Sequence, residues 1–333
     1  MKKNFYFGLM FIFALMIITG CNGSDGLDDS GGGSALEREL RIVTPRGPGA
    51  LGMLDLMERN QTGDTDVSYV FTLVGSPDEM PPLLIRGDVD IAAVPPNLAS
   101  ILHNNPNIDI QALAVVTMGV LHIVDSSGEI GSVEDLRGRT IHASGGGGTP
   151  EFILNHVLNG NGLTPGVDVY LDFRPEFAEI AALLEGGIAE IAMLPEPFAT
   201  TVLTRVEGVT HALDLSHEWN RLHPDAGLVM TVVIARTEVV ENYPELINVF
   251  MSEYEESISF VQQNVNEAAE LAVSHDIIPA AHIAREAIPR SNIVFVTGER
   301  MQRYVDGVLR VFYEQLPQSV GGQLPDASFY FAH

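Results

Sequence analysis

Cysteine, tryptophan and lysine are almost missing from this chain: one of the first, one of the second, and lysine only at positions 2 and 3 of 333 residues. A lone Cys21 excludes a disulfide framework. Basic residues number 18 against 44 acids, a formal net charge of −26. Such a surface repels a phosphate backbone, so nucleic acid is excluded as a partner. Charged residues are only 19% against 46% hydrophobic, which excludes an intrinsically disordered chain. No Gly-x-Gly-x-x-Gly is followed by an acid suited to a ribose, and there is no Gly-Lys-Ser/Thr and no Gly-x-Ser-x-Gly. His-x-x-x-His and Cys-x-x-Cys spacings are also absent, so neither a metal nor another cofactor is expected.

What is present begins with an export signal. Lys2 and Lys3 precede an uncharged apolar run from Phe5 to Ile18, 14 residues, short for a membrane span and right for a signal-peptide core. The run ends Ile18-Thr19-Gly20-Cys21, which resembles a bacterial lipobox, where the cysteine is acylated and becomes the new N-terminus. More than one acyl chain makes such an anchor stable. We expect residues 1–20 to be a lipoprotein signal and 21–37, rich in Gly, Ser, Asn and Asp, to be a flexible tether. Every basic residue left after Lys2 and Lys3 is arginine.

From Leu40 onward, short β-branched runs alternate with helical patterns, as in parallel sheets with crossover helices. Strands are expected at Arg41–Thr44, Val67–Val74 and Asp90–Val94, with helices from Gly52 and Pro77; a similar order returns between Thr140 and Leu194. The letters repeat as well. Leu83-Leu84-x-x-Gly87-x-x-x-Ile91-Ala92-x-x-Pro95-x-x-x-Ala99 matches Leu183-Leu184-x-x-Gly187-x-x-x-Ile191-Ala192-x-x-Pro195-x-x-x-Ala199 at a constant offset of 100. The expected fold class is α/β: one lobe of residues 38–118 and 226–333, a second of 119–225, and a two-segment hinge at Met118-Gly119 and near Gly227. The helical C-terminal third is expected to pack back on the first lobe.

In open α/β sheets a ligand lies outside the carboxyl ends of the strands. There the first lobe carries Arg46 and Gly47, whose backbone and guanidinium can approach a ligand or simply turn the chain. Ser76 heads a capping box completed by Glu79 and is a helix cap whatever else it does. Pro95, Asn97 and the hinge residue Met118 complete this side. On the other side Gly145, Gly146, Gly147, Gly148 and Thr149 lead into a helix N-terminus, where free N–H groups favour an anion, with Thr149 as the expected N-cap. Glu196 stands between Pro195 and Pro197; it accepts from a ligand, closes an inter-lobe bond, or is a solvated helix-start glutamate. Trp219 is a cleft wall or core.

These residues resemble the substrate-binding proteins of ABC transporters in the nitrate/sulfonate/taurine and thiamine-precursor group. The resemblance rests on Gly87 to Pro95, Asp135 to Ile141 and Leu194 to Phe198, and runs from Leu40 to about Tyr330. It implies a type II periplasmic-binding fold and capture of a small, anionic or polar solute for a permease and its ATPase. It also implies a monomer held outside the cytoplasmic membrane. An enzyme on the same fold, dehydratase-like or pyrimidine-synthesising, is the alternative. An adhesive surface lipoprotein would have no use for glycine loops at each equivalent strand end.

Overall fold

Eleven strands and their crossover helices form two separate sheets in the computed structural model, which describes residues 38–174 and 176–332. The strands are β1 (Leu40–Pro45), β2 (Tyr69–Val74), β3 (Ile91–Val94), β4 (Ile110–Met118), β5 (Leu121–Asp125) and β6 (Thr140–Ser144). They continue with β7 (Tyr170–Arg174), β8 (Ile191–Pro195), β9 (Thr210–Asp214), β10 (Val229–Arg236) and β11 (Ile293–Val296). The first sheet has the order β11-β4-β10-β3-β1-β2 and the second β7-β6-β8-β5-β9. Apart from β11 the two orders are equivalent. In each, a parallel trio is extended by an antiparallel strand, β10 or β5, that enters directly after the chain has crossed from the other sheet. The expected export signal, Cys21 and the tether lie outside the described residues.

The offset of 100 is a structural equivalence. Gly87 and Gly187 take the left-handed φ values of 74° and 63° just before a fully buried strand opens at Ile91 or Ile191. An L side chain is disfavoured there, which is why glycine punctuates both copies. Ala99 and Ala199, on the helices Pro96–His103 and Phe198–Arg205, are both fully buried. Asp90, fully buried, accepts from the Arg41 backbone and guanidinium and from Arg38 at 2.7–3.0 Å, tying β1 to β3. Arg139 and Glu190, 3.0 Å apart, pair at the corresponding place before β6 and β8.

Three details differ from expectation. The helix anticipated at Pro77–Arg86 is a 3-10 turn, Pro77–Glu79, followed by Met80–Arg86; Pro81 and Pro82 cannot donate to a helix that begins earlier. The helix after Thr149 is capped by Gly148, so Thr149 is its first residue and its side chain is free to bond elsewhere. The C-terminal third does not pack on the first sheet alone. The helix Pro244–Gln263 does so, through Tyr254 Oη to Gly49 O (3.1 Å) and Ser257 Oγ to Gly52 O (2.7 Å). The helix Gly298–Gln315, however, sets Phe312 against Phe152 of the helix Thr149–Gly160, ring centroids 5.4 Å apart, and Gln315 Nε2 donates to Phe152 O. One apolar core therefore runs through both sheets, with Val43, Val115, Leu121, Ile141, Phe152 and Phe312 in it.

Candidate functional site

The carboxyl ends of the parallel strands of the two sheets meet along a seam. Asn97, on the helix after β3, accepts from Thr149 Oγ1 at 2.8 Å, and Thr149 opens the helix after β6. The two crossings lie side by side. A side chain at Gly119 would run into Ser216, so glycine permits the close approach there, and one at Gly227 would displace the end of the Met118 side chain. Asn292 Nδ2 donates to Gly119 O at 2.9 Å and Met118 N to Asn292 O at 3.0 Å, fastening the first crossing to the segment before β11.

Arg46 is exposed, its Nε 3.9 Å from Asp276 Oδ2 and its Nη1 3.5 Å from Leu73 O. Gly47 faces open space and its carbonyl accepts from Ala50 and Leu51. Ser76 is bound up in its capping box: Glu79 Oε1 accepts from Gly75 N and Ser76 N, and Ser76 Oγ from Asp78 N. Pro95 caps the helix that carries Asn97. Gly146 lies on Phe173 and is exposed, Gly148 N donates to Gly145 O, and Gly147 N donates to Glu151 Oε2 at 2.6 Å. The chain's own carboxylate thus takes the loop amide that an anion would use. Trp219 is fully buried, its Nε1 donating to Ala226 O at 2.8 Å and its ring packed against those of His156 and His223, which stack on each other. Of the two readings offered for it, core is the one the structure shows, because a backbone carbonyl satisfies the indole N–H that would otherwise seek water.

Glu196 is the most constrained of the expected residues. It is fully buried, its backbone N–H donates to Val120 O at the first crossing, and its Oε2 accepts from Thr200 N at 3.3 Å. A solvated helix-start glutamate is thereby excluded. Oε1 stands 3.8 Å from Nε2 of both His122 and His211, beyond hydrogen-bond reach. These three atoms and His211 Nδ1 are buried with no partner in the chain. Burial pushes the Glu196 carboxyl up to about 7, with Thr200 and then Arg290 acting against it. Burial likewise holds His122 below the usual imidazole range and His211 down to about 4, the latter aided by His122 and Arg290. From the side of the first sheet Arg290 Nη1 donates to Thr200 Oγ1 at 3.2 Å.

Sequence reasoning missed His122, His211 and Arg290. His122 and His211 meet only through the register of β5 on β9, which shifts between Ile123 and Val124, and Arg290 arrives from the far end of the chain. Among the described residues no group of three or more His, Cys, Asp or Glu is arranged to hold a metal ion.

No family model matches this chain, and no curated protein matches it. Solved structures do. An ABC transporter structure from Parabacteroides distasonis is 23% identical with a TM-score of 0.75, covering 88% of this chain and 98% of that one. The periplasmic aliphatic sulphonate binding protein SsuA from Escherichia coli is 15% identical with a TM-score of 0.71, covering 88% and 92%. The periplasmic nitrate-binding protein NrtA from Synechocystis PCC 6803 is 13% identical with a TM-score of 0.59, covering 74% and 69%. The chain has the two-sheet α/β fold of periplasmic binding proteins, as the resemblance in its sequence implied.

Proposed function

We propose that this protein is an extracytoplasmic solute-binding lipoprotein of an ABC importer, which captures a small polar solute between two lobes and delivers it to a permease. The observation that carries this reading is the meeting of strand ends from the two sheets, Asn97 after β3 and Thr149 after β6, across a seam that the chain crosses twice. Strand ends of open α/β sheets are where such folds place ligands. The lobes are residues 38–118 with 226–333, and 119–225. Rotation takes place at Met118-Gly119 and near Gly227, since two crossings let rigid bodies turn with few dihedral changes. The structural neighbours named for sulphonate and nitrate binding support a solute of that size.

Cys21 is the site of lipidation in this proposal, and the tether holds the monomeric binding unit at the outer face of the membrane. No helix among the described residues is long and apolar enough to cross a membrane. A binder rather than an enzyme is favoured because, among the described residues, no nucleophile at the seam is hydrogen-bonded to a base; its buried histidines face a carboxylate at 3.8 Å.

The test is to titrate the mature chain with small sulfonates, nitrate and polar metabolites, following thermal stability and Trp219 fluorescence. Saturable stabilisation without turnover is expected. Consumption of any solute, or no response to any, overturns the proposal.

A further inference from the structure

Along the seam the donors expected to hold an anion are engaged within the chain. The Gly147 amide is held by Glu151, Arg46 leans toward Asp276, and Arg290 donates to Thr200. Against this stand Glu196 Oε1, His122 Nε2 and His211 Nε2, all buried, the carboxylate oxygen 3.8 Å from each ring nitrogen, and none with a partner in the chain. A buried polar atom left without a partner is destabilising, so three gathered in one place point to a group that completes them.

We infer that Glu196, His122 and His211 form a subsite for a protonated primary amine carried by the solute. The inference rests on the solute-binding reading above and names the chemistry of one end of its ligand. An ammonium group has three N–H donors and no acceptor, and a carboxylate oxygen with two neutral imidazoles protonated at Nδ1 offers three acceptor atoms. At N···acceptor distances of about 2.9 Å, Glu196 Oε1 and either ring nitrogen, 3.8 Å apart, subtend roughly 80° at the nitrogen, and opening toward tetrahedral takes roughly 1 Å of side-chain relaxation.

Charge agrees with the fit. The charged groups acting on Glu196 are Arg290 and Glu286, themselves 3.8 Å apart, and those acting on His122 are Asp214, Arg290 and His217. With neutral histidines the acids Glu196, Glu286 and Asp214 outnumber Arg290 three to one, so the place is short of positive charge. The acidic surface of the whole chain steers a cation in the same direction. His211, whose side chain is 27% exposed, is the member that reaches the surface, and the amine enters past it.

The test uses methylammonium as the minimal probe, with methanol and methanesulfonate as the neutral and anionic controls, and reads the ring nitrogens of His122 and His211 by NMR. Methylammonium is expected to shift both rings saturably, with affinity about tenfold weaker at pH 6 than at pH 8 as Glu196 takes up a proton. Glu196→Gln should remove both the shift and its pH dependence, and His211→Gln should weaken the shift at His122 should the first variant fold poorly. No saturable shift, an equal shift in Glu196→Gln, or shifts with Zn²⁺ but not methylammonium would each overturn the inference. A chain that binds some other solute while ignoring methylammonium loses this subsite and keeps the proposed function; a chain that binds nothing loses both.

Discussion

Thr149 Oγ1 donates to Asn97 Oδ1 at 2.8 Å, and with this bond the first residue of a helix on one sheet closes on a helix of the other. Both side chains come from segments that follow parallel strands, Asn97 after β3 and Thr149 after β6. The bond is available because Gly148, not Thr149, caps the helix. A cap made by Thr149 would have turned its hydroxyl inward to its own backbone.

Thr149→Val keeps the shape and removes the donor. A single hydrogen bond of this kind is worth ~1 kcal/mol net, about fivefold in an equilibrium between closed and open forms. Single-molecule energy transfer between labels on exposed positions of the two sheets should show the open population rise by about that factor. The variant's melting temperature should change little. An unchanged distance distribution would mean that the Phe152–Phe312 contact and the Gln315 bond hold the sheets together without it.

Asp90 is the second place where a small change has a large reading. Its buried carboxylate accepts four hydrogen bonds from Arg38 and Arg41. Asp90→Ala should cost on the order of 3 kcal/mol in urea unfolding, since it strands charged partners at the edge of β1. Glu190→Ala removes the equivalent but exposed bond from Arg139 and should cost ~1 kcal/mol or less. The contrast between these two sites measures what burial adds to the same pairing.

The repeat at offset 100 was legible because it is made of local rules: a left-handed glycine, a short buried strand, a proline at its end. Those rules located Gly87 and Gly187, β3 and β8, and the strand-end residues Asn97, Thr149 and Glu196. What they do not encode is the meeting of residues distant in the chain. His122 and His211 are brought together by a strand pairing with an irregular register, and Arg290 by the return of the C-terminal segment. Trp219 was ambiguous because its burial depends on the Ala226 carbonyl seven residues away, outside any periodic pattern. The C-terminal third was legible as helical, but not the contact of its helix Gly298–Gln315 with the second sheet's helix, since an amphipathic stripe says that a face is buried and not against what.

For the anchor the prediction concerns Cys21, the chain's one cysteine. Cys21→Ser should move the protein from the membrane fraction to the soluble extracytoplasmic fraction, with solute affinity unchanged because the 21–37 segment separates anchor from fold. Retention of Cys21→Ser in the membrane fraction after signal cleavage would remove the lipobox reading.

The last prediction follows from the opposite displacement of Glu196 and His211. Glu196 titrates at about 7 in the folded chain against an ordinary 4.5, so the folded state holds an extra proton between those values. Its contribution to stability is present below pH 4.5 and is lost as pH rises to 7. His211 titrates at about 4 against an ordinary 6.5, so folding excludes a proton in that window, and its contribution is lost as pH falls from 6.5 to 4. The slopes have opposite sign and cancel between pH 4.5 and 6.5, where the wild-type chain should show nearly flat stability from these two groups. Removing one unmasks the other. Glu196→Gln should gain stability as pH rises from 4 to 6.5, and His211→Gln should lose it as pH rises from 4.5 to 7. Each slope should be at most about 1.4 kcal/mol per pH unit, less for His211 because its ring is partly exposed. Urea unfolding at half-unit pH steps reads both directly. Parallel slopes in the two variants would mean that the pair does not titrate as opposed partners, and the assignment of a neutral imidazole beside a raised carboxyl would fail with it.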